Sequence, residues 1–408
     1  MDPGHGEGPM KALQFSRKPA RYAAAMIAGA LRPGAGASVG PLRLRDLDPP
    51  ALPADGWVEL RPRLSGICGS DLSTIDGHSS RYFEPIVSFP FVLGHEVVGD
   101  VSAEGHPLDG RRAVLVPVLH CEVRGIEPRC PACDAGDVNR CERIAFGHLE
   151  PGLQSGFCEG TGGGWSEAMV AHPAQLVAVP DALSDEAAVM VEPTACAVHA
   201  AHAVIAARAA ADTDGDPVVV IGAGTLGLLT IAALPSGLPV ITAAKHPQQR
   251  RLSRELGATT VVEPGELNGA VRLATRSMKL GPDHASGQLT GGARIVVDCV
   301  GSEASLAQAL EVVAPGGTIL VVGMPSTVSL DLTGLWHREV SLRGVYAYRR
   351  EDFDEALELV ASADLGRLVS ATYPLSRYED AIAHAAEAGR RGAVKIAFDL
   401  RKTSERKP

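Results

Sequence analysis

Apolar and polar positions divide this chain into two regimes. Through residues 10–183 they alternate in short runs broken by glycine and proline, as half-buried strands require. Val58-Glu59-Leu60-Arg61-Pro62-Arg63-Leu64 is one such run, and Val97-Val98-Gly99-Asp100-Val101 and Ala113-Val114-Leu115-Val116-Pro117 are two more. One Ala-rich stretch, Arg21 to Leu31, predicts a short helix ahead of a Pro/Gly segment at 33–41.

After Pro180 the period changes. Ser184 followed by Asp185 and Glu186 predicts a helix start, because a serine hydroxyl caps free amides and acids suit the positive end of the helix. Pro193 predicts the first position of a second helix running to about Ala211, with Glu192 just ahead of it and facing outward. From 217 onward buried strands alternate with helices. Val218-Val219-Val220-Ile221 is a fully apolar strand; a helix is expected from Thr225 to about Leu234, a strand at 239–243, and a helix at 247–256 ended by Gly257. Further strands are expected at 260–262, 294–298 and 318–322, with a long polar connection at 265–292 that is partly helical around 268–278. Strands alternating with helices imply a doubly wound parallel sheet, so the fold class is α/β with a separate β-rich domain.

The chain's 408 residues fit two domains better than one core. A net charge of −10 disfavours nucleic acid or an anionic membrane as partner, and 4% aromatic content offers no stacking platform for single strands. Residues 217–244 carry no charge, long enough to span a bilayer, but Pro217, Pro235, Pro239 and several glycines cut them into strand, helix and strand. Residues 1–9 show no basic-then-apolar export pattern, and 401–408 read as a frayed tail. The eight cysteines are clustered, which without an export signal points to metal rather than disulfides and to a reducing, cytoplasmic setting. Cys158, Cys196 and Cys299 read as packing thiols, and Trp165 and Trp336 as packing residues.

Three motifs carry chemistry. Cys68 in Ile67-Cys68-Gly69-Ser70-Asp71, His95 and Glu96 in Leu93-Gly94-His95-Glu96, and Glu192 in Val191-Glu192-Pro193-Thr194 offer thiolate, imidazole and carboxylate. Three such ligands and one open position describe a catalytic zinc. Cys121, Cys130, Cys133 and Cys141 fall within 21 residues; a closed set of four thiolates leaves no room for substrate and implies a structural zinc, with Glu127 as a competing ligand. Gly222-Ala223-Gly224-Thr225-Leu226-Gly227 follows a strand and opens a helix, the context in which such a fingerprint binds a dinucleotide. Gly222 permits the turn, Gly224 lets backbone approach the pyrophosphate, and Gly227 lets the helix pack close. The second strand ends in Ala243-Ala244-Lys245-His246, with no acid to grip a ribose 2′-hydroxyl. Lys245 and His246, with Arg250 or Arg251 assisting, favour a 2′-phosphate, hence NADP(H) over NAD(H). A zinc Lewis acid beside a dinucleotide points to hydride transfer between an alcohol carbon and a nicotinamide ring.

In this order the motifs CGSD, GHE, the four-cysteine lobe, VEP and GAGTLG resemble the zinc-containing medium-chain dehydrogenase/reductase family, the alcohol, polyol and sugar dehydrogenases. The resemblance covers about 57–345. It implies a GroES-like catalytic domain with both zincs over 1–185, a Rossmann domain over 186–345, and a segment, 346–408, rejoining the first. It implies Cys68 and His95 as first zinc ligands, Glu96 as a nearby carboxylate, Glu192 as the third ligand in the manner of polyol and threonine dehydrogenases, and Ser70 as acceptor of the alcohol proton. The family's relay histidine falls on Ser73, and His78 is a candidate substitute. Residues 17–40 depart as an insertion, and Gly147 to Gly164 as a longer Gly-rich loop holding His148. The expected partner is a small alcohol or carbonyl substrate, and the expected assembly a homodimer or homotetramer. The alternatives are an NAD-dependent polyol, sugar or threonine-type dehydrogenase and, in another class, a non-enzymatic nucleotide-binding protein. Against the latter stands the intact ligand set.

Overall fold

A computed structural model describes residues 8–211, 215–281 and 287–401. The expectations for the extreme N-terminus and the 401–408 tail fall almost wholly outside the described residues. The chain forms two compact units: residues up to Glu192 with Val369–Glu387 and the segment from Lys395, and Pro193–Leu368 with Ala388–Val394.

In the first unit a seven-stranded sheet runs in the order Val369–Tyr373, Lys395–Asp399, Val58–Gly66, Val97–Ser102, Arg112–Leu115, Leu176–Ala178, with Met169–Ala171 also paired to Val58–Gly66. Pro62 has no N–H to give the ladder, and the register shifts there, between Pro62 and Leu64. The alternation read from the sequence places Val58, Leu60, Val97, Val101, Ala113, Leu115, Met169 and Leu176 in one buried cluster. A smaller sheet pairs Met10–Phe15 with Leu42–Leu47 and Phe91–Val92.

The insertion between those first two strands forms two helices, Pro19–Leu31 and Gly36–Val39. Buried Asp76 fastens it: its carboxylate oxygens accept from the amides of Gly34 at 2.7 Å and Gly36 at 2.9 Å. Asp76 is also the residue that closes the helix Gly69–Ile75, so the insertion is tied to the helix that starts at Cys68.

The second unit is a six-stranded parallel sheet in the order Thr260–Val262, Val240–Ala243, Val218–Ile221, Ala293–Asp298, Val313–Val321, Ser341–Gly344. In chain order this is 3-2-1-4-5-6, the dinucleotide-binding arrangement. Successive side chains point to opposite faces, and both faces are covered, which is why the strand read as continuously apolar. Val218 and Val220 pack with Ala200, Ala201 and Val204 on one side; Val219 and Ile221 pack with Leu267, Val271 and Val312 on the other. The 21-residue helix Val191–Ala211 is apolar and long enough to cross a membrane, but it supplies those alanines to a protein core.

Several boundaries differ from expectation. The first unit extends past 185 because buried Asp185 accepts from Arg63 at 2.9 Å and Arg112 at 2.8 Å, side chains of two sheet strands. The second unit extends past 345 because fully buried Asp352 receives His199 Nδ1 at 3.0 Å and His202 Nδ1 at 3.1 Å. The second helix begins at Val191, not Pro193, so Glu192 sits inside its first turn and is buried rather than facing outward ahead of it. Proline is tolerated there because first-turn amides have no partner within the helix. Trp165 is fully buried, donating to Gly66 O at 3.1 Å, whereas Trp336 is 77% exposed and does not pack.

Asp76→Ala would leave two buried amides without acceptors, costing about 1–3 kcal/mol each. The expected result is a thermal midpoint several degrees lower, with a smaller loss in Asp76→Asn. Equal midpoints in all three proteins would show that the clamp contributes nothing.

Candidate metal and coenzyme sites

Cys68 precedes the helix Gly69–Ile75 as its cap, and its amide donates to Asp71 Oδ2 at 2.9 Å. His95 and Glu96 lie in the turn that leads into Val97–Ser102. Donor atoms of Cys68, His95 and Glu96 all lie within 4.8 Å of one another, and the last two residues are buried. Two ligands of one zinc, each about 2.0–2.3 Å from the ion, can be no farther apart than about 4.6 Å, so the trio is close to the spacing an ion needs. Glu192 is not within that trio. It is buried, and near enough to act electrostatically on the lysine described next.

Two residues the motifs did not single out complete the surroundings. Fully buried Asp71 places Oδ1 3.4 Å from His95 Nδ1, just outside hydrogen-bond geometry, and neither atom has another partner. That carboxylate turns the ring so that Nε2 is left for an ion. Burial alone would lower the imidazole's pKa, but Asp71 and Cys68 outweigh it and hold it well above the usual range. Lys395 is buried with its ammonium 2.6 and 2.5 Å from the two oxygens of Glu96, and it also donates to Ile67 O at 3.3 Å. Burial pulls this ammonium's pKa down; Glu96, Cys68 and Glu192 together push it up and keep the charge. Asp71 is visible in the CGSD motif once a partner for His95 is sought. Lys395 is 299 residues from Glu96, and no local spacing announces it.

Ser70 lies half-buried on the first turn after Cys68, its carbonyl accepting from Thr74 Oγ1 at 2.9 Å. Ser73 is half-buried, and His78 is exposed. The Gly-rich loop packs against the His95 turn. A side chain at Gly163 would strike Val92 O and Leu93 O, and one at Gly164 would strike Val97, so only glycine admits the loop there. Its Phe157 ring lies 5.9 Å from the His95 ring. His148 stands edge-on to Trp57 at 5.9 Å.

The sulfurs of Cys121, Cys130, Cys133 and Cys141 form a second cluster within 4.8 Å, all buried. Cys121 Sγ and Cys141 Sγ are 3.7 Å apart, the edge of a zinc–thiolate tetrahedron being about 3.8 Å. Amides of Cys130 and Arg143 point at Cys121 and Cys141 sulfurs at 3.4 Å, as suits thiolates. Glu127 is outside this cluster: its side chain is 77% exposed and faces Arg129, so the expected competitor is not placed to compete. Cys158 instead donates to Glu150 O at 3.5 Å, and burial pushes its thiol pKa up.

In the second unit, Gly222 turns at φ +90 after Val218–Ile221, and Gly224 caps the helix Thr225–Ala233. A side chain on Gly227 would collide with Gly222 O. No acidic residue occupies that helix's first turn, which includes Leu226, so its free amides can receive an anion. After Val240–Ala243, Lys245 is exposed and His246 caps the helix Pro247–Glu255, its amide donating to Gln249 Oε1 at 3.2 Å. Arg250 is committed elsewhere. Its Nη1 donates to Ala244 O at 3.3 Å and Lys245 O at 3.1 Å and pairs with Glu263 at 3.1 Å, so it braces the loop.

Residues 54–181 match the family described as alcohol dehydrogenase GroES-like domain, and 225–362 that described as zinc-binding dehydrogenase. The protein named probable D-xylulose reductase A of Aspergillus fumigatus is 30% identical over 328 residues, 79% of this chain and 83% of that one. L-Idonate 5-dehydrogenase of Vitis vinifera is 29% identical over 370 residues, 87% and 91% of the two chains. Acetophenone reductase of Geotrichum candidum, solved with NAD, superposes with a TM-score of 0.69 over 97% of this chain and 98% of its own, at 22% identity, a likeness of fold. Motif order, strand order and relatives agree: the chain belongs to the zinc-containing medium-chain dehydrogenase/reductase family of NAD(P)-dependent alcohol and polyol dehydrogenases.

Proposed function

We propose that this enzyme interconverts a polyol or sugar alcohol and its carbonyl with NADP(H), using one zinc at Cys68 and His95 and a second, structural zinc in the four-cysteine lobe. The convergence of Cys68, His95 and Glu96 donor atoms within 4.8 Å carries the reading. The names of the relatives, D-xylulose reductase and L-idonate dehydrogenase, support a polyhydroxylated substrate. When bound, the ion supplies Lewis acidity that makes a coordinated hydroxyl far more acidic.

The chain's own residues do the rest. Asp71 fixes the face that His95 offers. Lys395 neutralises Glu96, so Glu96 and Glu192 can share the site without making it strongly anionic. The pair with Lys395 holds Glu96 back and leaves Glu192 the better third ligand. Ser70 takes the substrate's proton toward solvent. The helix amides after Gly224 hold the coenzyme pyrophosphate, and Lys245 and His246 meet its 2′-phosphate. The runner-up is an NAD-dependent enzyme, favoured by the exposure of Lys245 to solvent.

Three measurements test this. Cys68→Ala is expected to lose one zinc per chain and at least a thousandfold in turnover across a panel of polyols and ketoses, with its circular dichroism unchanged; unimpaired turnover would refute the site. Cys130→Ser is expected to lose the other zinc and lower the thermal midpoint; a wild-type zinc content would remove the lobe from the account. Lys245→Asp is expected to move the ratio of NADPH to NADH efficiencies toward NADH by tenfold or more, since it replaces an attraction with a repulsion. An unchanged ratio would eliminate Lys245 as a phosphate contact.

A further inference from the structure

The second unit contains a short piece of chain that no coenzyme motif includes. Residues Ala388–Val394 belong to it, although the segments on either side, ending at Glu387 and restarting at Lys395, belong to the first unit. The strap is fastened at both ends to the coenzyme-binding face. At one end its backbone lies on His246: a side chain at Gly389 would strike the imidazole Cδ2, and would sit 3.1 Å from Gln249 Nε2. At the other, Val394 O accepts from Thr225 Oγ1 at 3.4 Å, at the first residue of the fingerprint helix. The strap therefore runs between the two places where a bound dinucleotide needs positive potential, the 2′ end at Lys245-His246 and the pyrophosphate end at the helix N-terminus.

It also carries charge. Arg390 follows Gly389 and is exposed, one residue from the contact with His246. The two arginines that follow the loop are not placed for a phosphate, because Arg250 is turned onto two backbone carbonyls and Glu263, and Arg251 onto Gln248 and Glu255. The end of the second strand thus presents Lys245 and an imidazole, with no planar guanidinium of its own to grip a phosphate in two-point fashion. Three cations surround His246: burial first, then Lys245, Arg390 and Arg250, lower its pKa, so Arg390 lies in the same field as the other two.

We propose that Arg390 is a specificity-determining residue of the coenzyme site, supplying from the strap the guanidinium that receives an adenosine 2′-phosphate beside Lys245 and His246. This rests on the NADP reading above and assigns the phosphate grip that Arg250 does not provide. The strap makes the residue's position dependent on Gly389, because a side chain there would press on the His246 imidazole in its present position.

The test uses the full-length protein and two probes that need no substrate, 2′,5′-ADP and 5′-AMP, with binding followed by calorimetry at low and moderate salt. The wild type is expected to bind 2′,5′-ADP more tightly than 5′-AMP, and more steeply weakened by salt. Arg390→Gln is expected to weaken 2′,5′-ADP about tenfold, leave 5′-AMP unchanged and flatten the salt dependence, while Arg390→Lys recovers part of the loss. If the wild type prefers 2′,5′-ADP and Arg390→Gln binds both probes as the wild type does, Arg390 is excluded and the NADP reading survives. If the wild type binds the two probes alike, the NADP reading fails and takes this assignment with it. Equal weakening of both probes would show that Arg390 shapes the strap rather than meeting the phosphate, and would overturn the proposal.

Discussion

The buried pair of Lys395 and Glu96 is the constraint on which the catalytic arrangement turns. Bringing two charges out of water costs several kcal/mol per ion, and their mutual attraction rarely returns more than that. An apolar pair of the same size would serve the sheet at least as well. What the ion pair does is chemical: it places a carboxylate beside Cys68 and His95 with its negative charge already offset. Lys395 begins the strand that pairs with Val58–Gly66, the strand that leads directly into Ile67 and Cys68. The same ammonium donates to Ile67 O, so the C-terminal segment fixes the backbone next to Cys68 and offsets the charge of Glu96.

Around that pair, rigidity comes from close backbone approach. Asp71 holds the Cys68 amide and faces His95, Asp76 ties the other end of the same short helix to the insertion, and the glycine run at 162–164 lets a loop press against the His95 turn. Each device fixes a segment that carries, or adjoins, Cys68 or His95. In the second unit the corresponding device is the collision-free contact between Gly227 and Gly222, which seats the fingerprint helix on its strand.

What the sequence revealed follows from which interactions are local. The strand alternation, the apolar Val218–Ile221 run, the glycine fingerprint and the cysteine spacing are each set by neighbours a few residues apart, and each was legible. Lys395 was not, because its partner is almost three hundred residues away and a lone lysine before an apolar strand carries no signal. The helix start at Glu192 is misplaced by two residues: Pro193 suggests a start, but a proline inside the first turn is equally permitted, and the helix begins at Val191. Arg250 looked available to a phosphate from its spacing, and only side-chain geometry shows it spent on carbonyl oxygens. The unit boundaries moved for a similar reason, since Asp185 and Asp352 each reach partners far along the chain.

The central claim is that Cys68 and His95 hold an ion distinct from the one in the cysteine lobe. Zinc K-edge X-ray absorption on the purified protein tests it most directly. With one four-sulfur site and one site of mixed sulfur, nitrogen and oxygen, the average shell should contain about 2.5 sulfurs per zinc, with the remainder nitrogen and oxygen at about 2.0–2.1 Å. A shell of about four sulfurs per zinc, with no nitrogen or oxygen, would contradict it.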